Sequence, residues 1–169
     1  MNAKLLARLS PLAAMALVSG GLLLGARSSA AESDRHSPRA EQSLVGTWRT
    51  QVTLVNCTTG QPVGAPAFSA LLTFARGGTA TETTANSFFP AQRSPGHGAW
   101  VSQGDQSYRA ATTAFISRDG VLVRTQTITQ DIEVDDDTFS STATTEFFDP
   151  SGALVLKGCA TAKGERYKL

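Results

Sequence analysis

Few residues in this chain have the types and spacing that chemistry demands. Its only histidines are His36 and His97, and no HExxH or CxxC spacing accompanies them, so no metal centre is spelled out and no cofactor is expected. No G-x-S-x-G elbow is present, so a Ser-His-Asp nucleophile would have to be assembled in space, and no catalytic residue is assigned. Asp135, Asp136 and Asp137 lack the alternating spacing and terminal Glu of a calcium loop and read as a solvated turn. Acid–base chemistry needs a buried carboxylate beside a second titratable group. Its candidates are Glu82, Glu133, Glu146, Tyr108, Arg109, Arg124 and His97, each of which also reads as an ordinary surface group. Binding chemistry has more material. Trp100, Tyr108, Phe115 and Phe139, with Arg124 as a polar anchor, have the composition of a small-molecule pocket.

Such residues need elements to hold them, and the pattern of the chain is that of short strands. From residue 44 onward, segments rich in Thr, Val, Phe and Ile alternate with Gly, Asp, Pro and Asn, and no 3.6-residue period persists. The spacing predicts strands over 44–57, 68–75, 79–85, 99–103, 107–117, 121–134, 138–148 and 153–162, with 165–169 as an extension of the last. Asp119-Gly120 is a tight-hairpin signal, and Asp149-Pro150-Ser151-Gly152 is turn chemistry. The segment 86–98 (NSFFPAQRSPGHG) reads as a long loop. It is either a lid over a barrel mouth, with Phe88, Phe89 and His97 as its working residues, or an Ω-loop whose two Phe plug the barrel end.

Eight strands joined mostly by tight turns imply an all-β fold, an eight-stranded antiparallel up-and-down β-barrel over residues 43–169. Closing the last strand onto the first removes two exposed edges. A two-sheet sandwich is the alternative, but a Greek key needs long crossing connections and only two loops here are long. On the segment 121–134 the even set (Leu122, Arg124, Gln126, Ile128, Gln130, Ile132, Val134) and the odd set both mix polar with apolar residues. A strand lining a semi-polar cavity has that pattern, as does one in a filled barrel with Thr outside. Small residues in two of the segments (Thr79, Ala80, Thr81, Thr142, Ala143, Thr144) leave volume unfilled.

Upstream, Lys4 and Arg8 precede an apolar run broken by Pro11 and Gly20-Gly21, and Ser28-Ser29-Ala30-Ala31 supplies small residues for cleavage. Residues 1–31 therefore read as a secretory signal peptide rather than a membrane-anchor helix, and the polar stretch 32–42, which holds His36, reads as a flexible leader. Processing lowers the 15 Lys and Arg against 14 Asp and Glu to 12 against 14, with no cluster of cations. A nucleic-acid partner, which needs a basic face, is excluded on that ground, and no membrane span remains after cleavage. A secreted or periplasmic setting is oxidising, so Cys57 and Cys159 are expected to pair across the seam between the first and last strands.

Gly46-Thr47-Trp48 at the head of the first strand resembles the G-x-W signature of lipocalins and the wider calycin group, which includes avidin-like barrels. The resemblance implies that Trp48 closes one barrel end beneath a basic residue late in the last strand. Arg166 fits that place, with Lys168 as a substitute, and a cation–π contact gives the physical reason. The helix that follows the lipocalin barrel and the motif of its middle turn are not found before Leu169, so the likeness is to a minimal bacterial barrel. Allene-oxide-cyclase-like barrels are a second relative that the pattern resembles. Three functions are thus expected to compete: interior binding of a small apolar or amphipathic molecule, a secreted interaction or inhibitor module acting through its loops, and a cyclase or isomerase. Cavity volume separates the first and third from the second, and a buried ionised pair in the cavity separates the third from the first.

Overall fold

The computed structural model describes residues 44–85 and 92–169. Alternation of inward apolar and outward polar side chains builds nine strands: β1 (Gly46–Val55), β2 (Phe68–Ala75), β3 (Thr79–Thr84), β4 (Gln92–Arg93), β5 (Gly96–Gly104), β6 (Ser107–Arg118), β7 (Val121–Asp135), β8 (Thr138–Phe148) and β9 (Leu154–Arg166). Eight of them run antiparallel around a closed barrel in the order β1-β2-β3-β5-β6-β7-β8-β9, and β9 pairs back onto β1 from Trp48↔Arg166 to Val55↔Cys159. On β6 the alternation is clean, with Tyr108, Ala110, Thr112, Ala114 and Ile116 all buried. The hairpin at Asp119-Gly120 has positive φ at both residues (52° and 78°), which matches the twist of the strands it joins. Among the described residues no helix is long and apolar enough to cross a membrane.

The segment expected to be one loop over 86–98 is only partly so. β5 begins at Gly96 and places His97 on a strand, opposite Thr81 on β3 and Thr113 on β6, with its side chain exposed. His97 is therefore not a lid residue. The two-residue β4 extends the same edge of β6 beyond the start of β5. Pro95 has no N–H to give the ladder, and Ser94 carries the pairing past it. Its N–H donates to the Phe115 carbonyl at 2.9 Å, and its Oγ accepts from the Phe115 N–H at 2.9 Å. The glycine that reads as loop punctuation has a packing reason: a Cβ on Gly96 would lie 2.3 Å from Glu82 Oε1. Phe88 and Phe89, the signal sequence expected over 1–31 and the leader over 32–42 lie outside the described residues.

One end of the barrel is closed by a plug of Leu44, Trp48, Phe74, Trp100, Tyr108, Ile132 and Phe139, all buried. Trp48 meets Phe139 edge-on at 5.2 Å and donates its indole N–H to the Leu44 carbonyl at 2.9 Å. Arg166 covers it from outside, its guanidinium 4.2 Å from the ring centroid, and donates to the Val45 carbonyl at 2.8 Å and Asp137 Oδ1 at 2.9 Å. Gly46 makes room for that cover. Its φ is +138°, and a Cβ there would sit 3.0 Å from Arg166 Nη1.

The three-acid turn is tied to this cover. Asp137 accepts from Lys168 as well as Arg166, and its carboxyl lies below the ordinary value of 3.8, chiefly through the Lys168 hydrogen bond. A carboxylate with a lowered folded-state value favours the fold above its ordinary value, and that contribution is lost as the pH drops from about 3.8 through the folded value. Asp137→Asn is thus expected to flatten part of the acid limb of stability while leaving the slope near neutrality unchanged, as read from urea midpoints taken between about pH 2 and 7.

Candidate functional site: the barrel interior

Above the plug the barrel is hollow. A cavity of about 260 Å³ runs from the plug toward the opposite end. Val52 and Leu54 on β1, Phe68 on β2, Ile128 on β7, Phe147 on β8 and Leu156 on β9 give it apolar walls. Its floor is polar, for a reason of strand register. Thr50, Glu82, Thr112, Gln130 and Ser141 are each the next inward position above a residue of the buried cluster that forms the plug (Trp48, Ala80, Ala110, Ile132 and Phe139).

These floor groups are buried, and several lack partners. Thr50 and Thr112 are each 3% exposed and Ser141 is 6%, and among the described residues none of the three hydroxyl oxygens has a hydrogen-bond partner. A buried hydroxyl left unpaired costs about 1 to 3 kcal/mol, so three around one cavity call for a partner inside it, water or ligand.

One wall of the cavity carries an ion pair. Arg93 on β4 donates Nη2 to Glu82 Oε1 on β3, Nε to Gln126 Oε1 on β7 at 2.5 Å, and Nη1 to the Ser94 carbonyl at 3.1 Å. The Glu82 side chain is buried at this contact and that of Arg93 is largely so, at 11% exposed. Arg93 reaches inward because β4 pairs Arg93 with Ile116, an inward residue of β6. Breaking one side of such a pair strands a charge, whereas removing both does not. Arg93→Met is expected to cost about 3 kcal/mol or more in urea unfolding. Glu82→Gln combined with Arg93→Met is expected to lie closer to the parent protein than Arg93→Met alone.

The residues expected from the sequence to line a pocket are distributed differently. Trp100, Tyr108 and Phe139 belong to the plug beneath the cavity, with Trp100 edge-on to Tyr108 at 5.7 Å and its indole N–H on the Ala75 carbonyl at 3.0 Å. Phe115 is on the outer face of β6 and 55% exposed, because the inward set of that strand is the even one. It is therefore not a lining residue. Arg124 is half-buried opposite Ile116, beyond the lining. Of the acid–base candidates, Glu82 is the one at the cavity. Arg109 and Glu146 pair on the outside with Asp131 and Lys157, and the exposed Glu133 accepts from the Ser107 hydroxyl.

Thr50, Arg93, Thr112 and Ser141 escaped the sequence reading, since isolated Ser and Thr on a strand resemble any outward residue and Arg93 sat in an apparent loop. Gln126 and Gln130 were visible in the even set of β7, whose inward positions they occupy. Cys57 and Cys159 are joined, with Cα atoms 5.1 Å apart, where β1 meets β9 away from the plug. Compared with protein-family models, with curated proteins and with solved structures, the chain has no match.

Proposed function

We propose that the barrel binds a small apolar or amphipathic molecule in its interior, in a secreted or periplasmic setting. The observation that carries this reading is the hollow above the plug, whose apolar walls end on a floor of unpartnered hydroxyls. A protein working only through its loops has no need of such a hollow, since filling it with larger side chains would add stability. The disulfide supports an oxidising compartment. The test is native mass spectrometry of the protein purified from its own host. The expected result is one additional small mass that leaves on unfolding, and a bare polypeptide mass overturns the reading.

A second reading, an isomerase or cyclase of the allene-oxide-cyclase-like barrel type, is favoured by the ion pair on the cavity wall. Glu82 would accept or return a proton, with Arg93 and Gln126 holding its geometry. Incubating the co-purified molecule with fresh protein separates the two. Conversion by the parent chain and none by Glu82→Gln supports catalysis, and unchanged recovery from both supports binding alone.

A further inference from the structure

Resting on interior binding, we infer that the ligand enters head-first and carries an uncharged hydrogen-bonding head, a hydroxyl, carbonyl or amide, that seats on Thr50, Thr112 and Ser141. The three hydroxyls come from β1, β6 and β8, strands spread around the barrel, yet all stand at the first levels above the plug. Each is more than nine-tenths buried, and each has donor and acceptor capacity that none of the described residues uses. Gln130 lines the same floor, and Gln126, whose Oε1 is taken by Arg93, has its amide N–H₂ left to offer a ligand acceptor.

The head is uncharged because the described residues that line the cavity offer no spare countercharge. Its charged lining residues are Glu82, Arg93 and Lys157. The first two neutralise each other, and Lys157 pairs with Glu146 at an exposed position toward the mouth. A carboxylate or ammonium carried to the floor would be desolvated without a partner, which outweighs what hydroxyl donors return. The body of the ligand then lies against Val52, Leu54, Phe68, Ile128 and Phe147. At about 30 Å³ per water-sized group, a hollow of about 260 Å³ takes roughly nine non-hydrogen atoms, and anything longer extends beyond it, away from the plug. The competing account is that ordered water alone satisfies the floor, in which case a ligand's head brings no advantage.

Three probes of one shape decide between these: naphthalene, 2-naphthol and 2-naphthoate, titrated calorimetrically into the whole protein near neutral pH. 2-Naphthol is expected to bind at least about tenfold tighter than either of the others. In the combined Thr50→Val, Thr112→Val, Ser141→Ala protein, naphthalene is expected to bind no worse than to the parent, and the preference for 2-naphthol to shrink to about twofold or less. These substitutions strand no partner, and Thr112→Val alone, expected to remove part of the preference, serves if the triple variant does not fold. Equal binding of naphthalene and 2-naphthol by the parent protein, or tightest binding of 2-naphthoate, overturns the inference while leaving interior binding intact. Binding of none of the three overturns both.

Discussion

Trp48→Ala is expected to lower the unfolding free energy by about 3 to 5 kcal/mol, toward the upper part of what large-to-small core changes cost. The ring is fully buried, so the transfer loss is complete. What remains is whether the cavity left behind can collapse, and the surroundings argue that it cannot. Phe139, its edge-on neighbour, is held against β9 so closely that a Cβ on Gly164 would lie 2.2 Å from its ring. Arg166 is fixed by bonds to the Val45 carbonyl and Asp137 and has no freedom to fill the space with its stem. The Leu44 carbonyl also loses its donor. Trp48→Phe keeps a ring beneath the guanidinium but loses the indole N–H and some volume, and is expected to cost about 1 to 2 kcal/mol. Urea unfolding measures both, and a loss below about 1 kcal/mol for Trp48→Ala would show that the plug re-forms without it.

The fold was legible because its signals are periodic and local. The eight strand-like segments, the Asp119-Gly120 turn and the turn chemistry of Asp149-Pro150-Ser151-Gly152 each state one fact about the backbone, and together they admit a closed eight-stranded barrel. The exception was 86–98, where Ser94-Pro95 and Gly96 looked like loop chemistry. Pro95 does interrupt the ladder, but Ser94 bridges the break with its side chain, and Gly96 is glycine because Glu82 lies over it. No local rule anticipates a residue chosen for a neighbour fourteen positions away in sequence.

The site was less legible for a related reason. Large aromatics are the usual mark of a pocket, yet at Trp100, Tyr108 and Phe139 they fill space, and a barrel stays hollow where its inward residues are small. The hollow is therefore written in Thr50, Thr112, Ser141 and Ala143, residue types that carry little information singly. The mixed even set of β7 was the one sequence signal of a semi-polar interior, and its Gln126 and Gln130 do face the cavity.

Removing the Cys57–Cys159 bridge, by Cys57→Ala with Cys159→Ala, is expected to cost about 4 to 5 kcal/mol, since in the chain-entropy treatment a crosslink spanning 102 positions confines most of the unfolded domain. For a domain whose whole stability is typically about 5 to 15 kcal/mol, that is about a quarter or more. The position of the bridge explains why so much depends on it. An up-and-down barrel forms most of its pairs between strands adjacent in sequence, and the one pairing that must be closed over nearly the whole domain is β1 with β9. Val55↔Cys159 is the last rung of that pairing, so the bridge starts where the ladder ends. Because the effect lies in the unfolded chain, it has a signature separate from lost packing: without the crosslink the unfolded state expands, and the urea m-value is expected to rise as the midpoint falls. A lower midpoint with an unchanged m-value would instead assign the bridge a local role in shaping the mouth, and the hollow beside Cys159 would then change its ligand affinity more than the protein changes its stability.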